Sequence, residues 1–267
     1  MSNILDVIVE QKQGEVARLP VANVTAETIR AVLEKRNDHR DFFGALEQSK
    51  RGTVALIAEV KKASPSAGVI CADFDAVRIA REYEAAGASC LSVLTDEKFF
   101  QGSLDYLKQI RAAVKLPLLR KDFIIDERQI LEAAEWGADA ILLIVAILDD
   151  ARLRRFHDLA VNAGMSVLVE AHDAPELDRA VAAGARLVGV NNRNLKTFKV
   201  DLATTEQLAA KLRAAPDGQG RLLVAESGIH TGDDVARLAV CGARAILVGE
   251  SLMRSGDIRG KVKELIG

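Results

Sequence analysis

The feature that most constrains this chain is a repeating alternation. From residue 54 onward, short apolar runs rich in β-branched residues alternate with longer segments of helical period. Such alternation predicts βα units arranged around a parallel sheet. The eight runs are TVALIAEV (53–60), SCLSVLT (89–95), LPLLRKD (116–122), DAILLIVA (139–146), SVLVEA (166–171), RLVGVNN (186–192), RLLVAES (221–227) and RAILVGE (244–250).

The segments between the runs carry signals for helix starts and ends. Ser103 precedes an apolar-periodic stretch, and Thr231 is followed three residues later by Asp234, which is typical of a capping box. Gly87 and Gly164 each follow a helical stretch and precede the next run, where a left-handed residue commonly ends a helix. These signals predict a helix before each following strand.

Eight βα units predict a closed (β/α)8 TIM barrel of the α/β class. An open doubly wound sheet would more often have five or six strands and a G-x-G-x-x-G turn, which is absent after the first run. Residues 1–52 carry two helical patterns, around Ile4 and, after a Thr25 cap, around Ile29. We predict one domain, with 1–52 as an N-terminal helical extension packed on a barrel at 53–267.

Composition narrows the classes of function. The net charge of −2 and the dispersed lysines and arginines give no footprint for nucleic acid. The longest apolar run, Ala140 to Leu148, is about half of the ~20 residues that span a bilayer. The first residues do not have the pattern of a signal peptide. We expect a cytoplasmic protein that binds neither nucleic acid nor membrane; its oligomeric state is left open, with a monomer favoured.

Cysteines and histidines give no support for a metal centre. Their spacing matches neither a zinc site nor a disulfide framework, so we expect no metal and assign the cysteines to packing or surface positions. The residues concerned are Cys71, Cys90, Cys241, His39, His157, His172 and His230.

Polar residues end many of the apolar runs, and in a TIM barrel the chemistry lies at those carboxyl ends. One interpretation is that they form structural ion pairs between barrel layers. A cluster of acids and lysines at one mouth is better explained by a charged ligand and proton transfer, because burying unpaired charges is costly. Lys62, Arg120 and Asp122 alternate with the inward positions and should face outward, toward helices. The inward candidates are Glu59, Lys61, Lys121, Glu170, Asn191, Arg193, Glu226 and Ser227.

Two late segments predict a phosphate site: AESGIHT at 225–231 and LVGESL at 247–252. Loops after the seventh and eighth strands commonly bind phosphate in this fold. Gly228 and Gly249 would let backbone N–H groups approach the anion. The carboxylate of Glu250 would repel a phosphate, so we expect its side chain to turn away and only its N–H to contribute.

Read in order, the strand-end segments resemble those of indole-3-glycerol-phosphate synthases over almost the whole chain. The resemblance implies the substrate 1-(2-carboxyphenylamino)-1-deoxyribulose 5-phosphate, a step of tryptophan biosynthesis, and no cofactor. The matching segments are IAEVKKASPSAG (57–68), SVLTDEKFFQGS (92–103), LLRKDFI (118–124), VLVEAH (167–172), GVNNRNL (189–195), VAESGI (224–229) and VGESLM (248–253).

The resemblance also implies catalytic roles. Lys121 is similar to the general acid that protonates the substrate ketone, and Lys61 to the lysine that pairs with the anthranilate carboxylate. At the Lys61 position an acid role in dehydration is also implied. Glu170 resembles the general base of the later steps, and Glu59 a carboxylate that positions the lysines.

The remaining assignments concern substrate binding. The resemblance implies that Asn191 and Arg193 bind the sugar hydroxyls and the carboxylate or phosphate side of the mouth. Further residues are expected as follows: Ser64, Gly228, Gly249 and the N–H of Glu250 at the phosphate, Glu226 and Ser227 at the sugar, and Phe100, Phe123 and Leu142 as an apolar wall around the anthranilate ring. For these last three, plain barrel packing is the alternative.

Three other functions remain open at this point. A phosphoribosylanthranilate isomerase would need a Cys and Asp pair at strand ends, and no cysteine ends a suitable run. An aldolase would use Lys121 as a Schiff-base nucleophile, which borohydride trapping would detect. A catalytically silent barrel could bind a phosphorylated ligand or a partner protein, although the intact set of acids and lysines argues against it.

Overall fold

A computed structural model of the chain describes residues 4–48, 54–195, 197–215 and 220–267. Eight parallel strands form a closed barrel in which each strand pairs with the next along the chain and β8 pairs with β1. The predicted TIM barrel is confirmed. The strands are β1 (Ala55–Val60), β2 (Cys90–Leu94), β3 (Leu118–Lys121), β4 (Ala140–Ile144), β5 (Ser166–Ala171), β6 (Leu187–Asn191), β7 (Leu222–Glu226) and β8 (Ala245–Val248).

Helices α1 to α3 precede β1, and the other helices follow the strands around the barrel. They are α1 (Ile4–Val16), α2 (Ala26–Arg36), α3 (Phe42–Glu47), α4 (Ala76–Ala86), α5 (Glu97–Phe100), α6 (Leu104–Ala113), α7 (Glu127–Glu135), α8 (Asp150–Ala163), α9 (Ala174–Ala182), α10 (Ala203–Ala214), α11 (Gly232–Val240), α12 (Glu250–Arg254) and α13 (Ile258–Ile266). A 3-10 turn spans Val145–Ile147, and a small hairpin after β1 pairs Ala63–Ser64 with Gly68–Val69. Across the described ranges, no helix has both the length and the apolar character needed to cross a bilayer.

The predicted helix boundaries are confirmed at several positions. The Ser103 hydroxyl accepts a hydrogen bond from the Asp105 N–H at the start of α6. Thr231 and Asp234 form a capping box at the start of α11. Gly87 and Gly164 end their helices with φ values of 101° and 102°, a left-handed conformation that costs little only for glycine.

Strand alternation separates the core into two parts. Outward side chains such as Leu56 and Leu91 pack under the helices, whereas inward side chains such as Ile57, Leu119 and Leu168 fill the barrel interior. Two residues further along four of the strands, β1, β3, β5 and β7, the inward row continues as charged side chains. Glu59 follows Ile57, Lys121 follows Leu119, Glu170 follows Leu168 and Glu226 follows Val224. The same alternation that builds the core therefore places these charges at one mouth.

Within residues 4–48, the described part of the N-terminal extension, there are three helices, so the prediction of two was incomplete. The missed helix, α3, is too short to show a periodic pattern. Its Phe42 and Leu46 are buried and pack against inward residues Ala55 and Cys90 at the amino end of the barrel. The predicted boundary between extension and barrel, at residues 52 and 53, lies outside the described residues.

A buried ion network fastens α1 to the outside of the barrel. Lys12 Nζ lies 2.8 Å from Asp122 Oδ1 and 3.0 Å from Asp96 Oδ2. Arg120 donates to the Asp122 carboxylate over 3.1 Å and to the Gln129 carbonyl over 2.9 Å, beneath α7. The prediction that Arg120 and Asp122 face the helices is confirmed.

Candidate active site

A cavity of about 350 Å³ opens at the carboxyl ends of the strands. Every residue that the sequence analysis assigned to the site lines it, although the individual roles remain predictions. These residues are Glu59, Lys61, Ser64, Phe100, Lys121, Phe123, Leu142, Glu170, Asn191, Arg193, Glu226, Ser227, Gly228, Gly249 and Glu250. Helix α1 adds Ile4, Leu5 and Ile8 to the wall, a contribution that the sequence analysis did not anticipate.

Lys121 lies at the centre of a cluster of three carboxylates. Its Nζ is 2.8 Å from Glu226 Oε2, 3.6 Å from Glu170 Oε2 and 3.8 Å from Glu59 Oε2. Burial lowers the pKa of Lys121, but the three carboxylates outweigh burial and raise it above its usual range. Lys121 is therefore an ammonium ion at neutral pH, with a proton available to donate.

Glu59 joins the two lysines of the site. Its Oε1 lies 2.7 Å from Lys61 Nζ. Burial raises the pKa of Glu59, whereas Lys61 and Lys121 lower it, and the net result is below the usual value. A Cβ at Gly249 would lie 2.5 Å from Glu59 Oε1, so any larger residue at that position would collide with the carboxylate.

Glu226 is the carboxylate nearest to Lys121, whereas the sequence analysis assigned it only to the sugar. A Cβ at Gly189 on β6 would lie 2.2 Å from Glu226 Oε1, so the carboxylate packs against the backbone of the neighbouring strand where there is no side chain. Burial raises the pKa of Glu226, Lys121 opposes that effect and Glu170 adds to it, which brings the pKa to about 7. Glu226 is thus the carboxyl group of this cluster that changes protonation near neutral pH.

Glu170 is approached from two sides, by a hydrogen bond from Asn191 and by an ion pair with His172 whose geometry is not that of a hydrogen bond. Asn191 Nδ2 donates to Glu170 Oε1 over 3.1 Å, and His172 Nε2 lies 3.2 Å from the same oxygen. The other oxygen, Oε2, faces Lys121. Burial raises the pKa of Glu170, but Lys121 and His172 lower it more strongly, so the group is ionised.

His172 and Glu176 were missed as members of this cluster. His172 Nδ1 lies 2.9 Å from Glu176 Oε2, and the His172 backbone N–H donates to that oxygen over 2.8 Å. The spacing of four residues across a helix start is a signal that could have indicated the pair. The contact with Glu170 depends on the direction in which β5 ends, which the spacing does not reveal.

The apolar wall contains two aromatic rings. Phe100 and Phe123 have ring centroids 6.0 Å apart, with planes inclined by 37°. Leu142 belongs to the inward row of β4 and lines the same cavity. A planar aromatic ring bound in the cavity could stack on the phenylalanine rings and pack against the aliphatic carbons of Leu142.

The two predicted phosphate loops lie side by side at the rim. Ser227 and Gly228 are consecutive left-handed residues, with φ of 66° and 75°, directly after β7. A side chain at position 228 would also collide with Val200, because a Cβ there would lie 2.2 Å from Val200 Cγ1. Such a turn presents successive N–H groups to one side, which suits an anion.

The Glu250 carboxylate forms ion pairs with two arginines. It lies 3.0 Å from Arg254 Nε and 3.8 Å from Arg193 Nη2. In the hairpin after β1, the Ser64 hydroxyl accepts from the Ala67 N–H over 3.2 Å. Within the described ranges, no group of three or more His, Cys, Asp or Glu side chains has the arrangement of a metal site.

Comparison with known proteins places the chain among characterised sequences. The model of the indole-3-glycerol phosphate synthase family matches residues 5–265. The synthase of Laribacter hongkongensis is 51% identical over 258 residues, covering 96% of each chain. That of Aromatoleum aromaticum is 50% identical over 268 aligned positions, covering 100% of both. A solved 3-hexulose-6-phosphate synthase superposes with a TM-score of 0.61 at 16% identity, over 79% of this chain and 98% of that one, which shows the fold alone.

Proposed function

This chain belongs to the indole-3-glycerol phosphate synthase family, and we propose that its charged cavity closes the indole ring of 1-(2-carboxyphenylamino)-1-deoxyribulose 5-phosphate. The reaction releases carbon dioxide and water and is a step of tryptophan biosynthesis. The observation that carries the proposal is the convergence of Lys61 and Lys121 with three carboxylates beside an apolar wall. The cations and the wall match a substrate that combines an aromatic ring with a carboxylate and a phosphate.

Ring closure needs an acid at the ketone and a cation at the carboxylate. The aromatic carbon that bears the carboxylate attacks the ketone carbon, and Lys121 gives a proton to the oxygen that becomes the hydroxyl. Lys61 pairs with the carboxylate and orients the ring for this attack. Carbon dioxide then leaves, and the electrons of the broken bond restore the aromatic ring.

Dehydration completes the indole. The nitrogen lone pair forms a double bond to the aromatic carbon that bears it, the ring electrons shift toward the carbon that carries the hydroxyl, and the hydroxyl departs as water. Glu170 then removes a proton from the CH2 group between the nitrogen and that carbon, which restores the aromatic ring and completes the indole. We assign protonation of the leaving hydroxyl to Lys61. Glu59 holds the lysines in place, which its contact of 2.7 Å with Lys61 supports.

Binding of the rest of the substrate is assigned to the rim. Asn191, Arg193, Glu226 and Ser227 would contact the sugar and carboxylate, and Ser64 with the N–H groups around Gly228 and Gly249 would hold the phosphate. We place the enzyme in the cytoplasm, in keeping with Cys71 and Cys241, which form no disulfide, as expected of a reducing compartment.

The electrostatics disfavour an aldolase that uses Lys121. A Schiff-base lysine must lose its proton before it attacks a carbonyl, which requires a lowered pKa. The three carboxylates around Lys121 have the opposite effect. Borohydride treatment with a carbonyl substrate should therefore leave Lys121 unmodified.

The decisive experiment adds the proposed substrate to the purified protein and follows indole fluorescence. A rise that depends on enzyme concentration, with release of one carbon dioxide per indole formed, is the expected result. A protein that binds the substrate without producing the indole signal would overturn the proposal in favour of a silent barrel.

A further inference from the structure

We infer that His172 is a positioning residue for the reaction: it orients the Glu170 carboxylate so that one oxygen is fixed and the other faces Lys121 and the substrate. This inference rests on the proposed role of Glu170 as general base. His172 does not line the cavity. It therefore acts through Glu170 rather than on the substrate.

The two oxygens of Glu170 have different surroundings. Oε1 accepts from Asn191 Nδ2 over 3.1 Å and lies 3.2 Å from His172 Nε2. Oε2 lies 3.6 Å from Lys121 Nζ, too far for a hydrogen bond. The hydrogen bond from Asn191 and the ion pair with His172 hold Oε1 from two directions, so rotation of the carboxylate is restricted and Oε2 stays directed toward Lys121.

The imidazole is itself fixed by the start of helix α9. Glu176 Oε2 accepts from the His172 backbone N–H over 2.8 Å and lies 2.9 Å from Nδ1. Glu176 lies in the first turn of α9, where Asp173 caps the helix by accepting from the Glu176 N–H. The chain of contacts Glu176, His172, Glu170 thus runs from a capped helix to the proposed base. Such contacts fix a ring's orientation much as carboxylates do for metal-bound histidines.

The charges around the pair define the expected effect on protonation. Glu170 faces Lys121 from β3, Glu226 from β7, Glu59 from β1 and His172 from its own strand end. The two cations favour its ionised form and the two carboxylates oppose it. Removing His172 takes away one of the two favourable charges.

His172 is a cation at neutral pH. Burial lowers its pKa, but the contacts with Glu170 and Glu176 outweigh burial and raise it to about 10. Loss of this charge raises the pKa of Glu170, so the base becomes protonated at a higher pH. The part of the acid limb of kcat that reports protonation of Glu170 then moves upward in pH.

The test compares His172→Gln and His172→Ala with the parent enzyme, in the complete chain and with the proposed substrate. Complete loss of a general base costs about 100- to 10,000-fold in rate, and a misoriented base should cost part of that, about 10-fold in kcat for His172→Ala. KM should stay unchanged, since His172 does not touch the substrate. His172→Gln keeps a donor and should recover most of kcat above the shifted limb.

His157→Gln is a matched control. His157 is also buried and lies 3.3 Å from a carboxylate, that of Asp158, but it belongs to α8 and is remote from Glu170. Its substitution should leave the acid limb of kcat unchanged. A merely structural role for His172 would make its variants behave like this control.

Two outcomes separate this inference from the function on which it rests. A Glu170→Gln variant with near-normal turnover would remove the proposed general base itself. An impaired Glu170→Gln variant together with a parental acid limb in His172→Gln and a parental kcat in His172→Ala would overturn the positioning role alone. If His172→Ala fails to fold, the comparison of His172→Gln with His157→Gln still decides.

Discussion

The two ends of the barrel are built by the same strands but contain opposite kinds of inward side chain. At the amino end the inward row is apolar, and Phe42 and Leu46 of α3 close it. At the carboxyl end the row continues as Glu59, Lys121 and Glu170, and the structure leaves a cavity. The closed end buries apolar surface and stabilises the fold, whereas the open end concentrates charge at a cost in stability.

The ion pairs of the two ends differ in the same way. At the closed end Asp139 is fully buried, and its oxygens accept from the Arg40 and Leu118 N–H groups and from Arg111 over 2.5 to 2.9 Å. At the open end three carboxylates surround the single ammonium of Lys121. The Asp139 contacts hold structure in place, whereas the carboxylates around Lys121 face a cavity in which a proton can be moved.

The largest expected effect is at the open end. Lys121→Met should lower kcat by about 100- to 10,000-fold, the range for loss of a positioned acid, because among the described residues only Lys121 lies within 4 Å of all three carboxylates. Steady-state assays of indole formation, with circular dichroism to verify folding, measure it. Lys115→Met, at an exposed lysine outside the cavity, is the control. A kcat for Lys121→Met close to that of the control would show that the open end does not depend on Lys121 for catalysis.

The next effect is at the closed end. Phe42→Ala should lower the free energy of unfolding by about 3–5 kcal/mol, because it empties a fully buried site under the barrel. The kcat of the folded enzyme should stay near the parental value. Phe43→Ala is the matched control, since that neighbouring ring is half-buried and stacks on Arg186 at 4.5 Å. Equal losses in the free energy of unfolding for both variants, measured by denaturant unfolding, would contradict the assignment of Phe42 as a residue that closes the amino end of the barrel.

A third effect concerns pH. The pKa of Glu226 is about 7 in the folded protein against an ordinary value of 4.5, so its folded form keeps a proton to higher pH than the unfolded chain. Its contribution to stability is complete below pH 4.5 and is lost as the pH rises through 7. The lowered pKa values of Glu59 and Glu170 act below that window, where their contribution is lost as the pH falls.

Replacing Glu226 with Gln should remove the part of the fall in stability with rising pH that is due to this carboxyl group. Between pH 5 and 8 the free energy of unfolding of the parent should fall by about 1–3 kcal/mol more than that of Glu226→Gln, since each unit of pKa shift corresponds to about 1.4 kcal/mol. The raised pKa of His172 also lowers stability as the pH rises from 6.5 toward 10, equally in both proteins. Parallel pH curves for the two would show that Glu226 does not titrate in this window.

The smallest effect is at the rim of the closed end. Asp38 pairs with Arg36 and Arg111, but 41% of its side chain is exposed. Solvent screening therefore limits Asp38→Asn to a loss of about 0.2–1 kcal/mol in the free energy of unfolding, with kcat unchanged. Asp139→Asn, at the buried partner of the same arginine, should cost more. Thermal unfolding at matched pH compares the two variants. Equal losses of stability would contradict the expectation that the buried partner of Arg111 contributes more than the exposed one.

Much of the fold and the membership of the cavity could be predicted from the sequence. Apolar runs and helix signals are local, so they indicated eight strands and helix ends such as that at Gly87. Alternation is local too, so it separated inward Lys121 from outward Arg120 and Asp122. Helix α3 was missed because six residues are too few to show a period.

The partners within the site could not be predicted in this way. The sequence placed Glu226 at the sugar, and the structure places it 2.8 Å from Lys121. It likewise gave no indication that His172 contacts Glu170 or that Ile8 of α1 lines the cavity. Each of these contacts joins segments whose separation depends on how the strands are staggered around the barrel.

The sequence by itself determined the number of strands, the face on which each side chain lies and the gathering of acids and lysines at one mouth, because these follow from periods of two and 3.6 residues along the chain. Only the tertiary structure decided which carboxylate meets which ammonium. Barrel closure brings β1, β3, β5 and β7 to the same level, and side-chain distances of about 3 Å there depend on packing that no local pattern encodes.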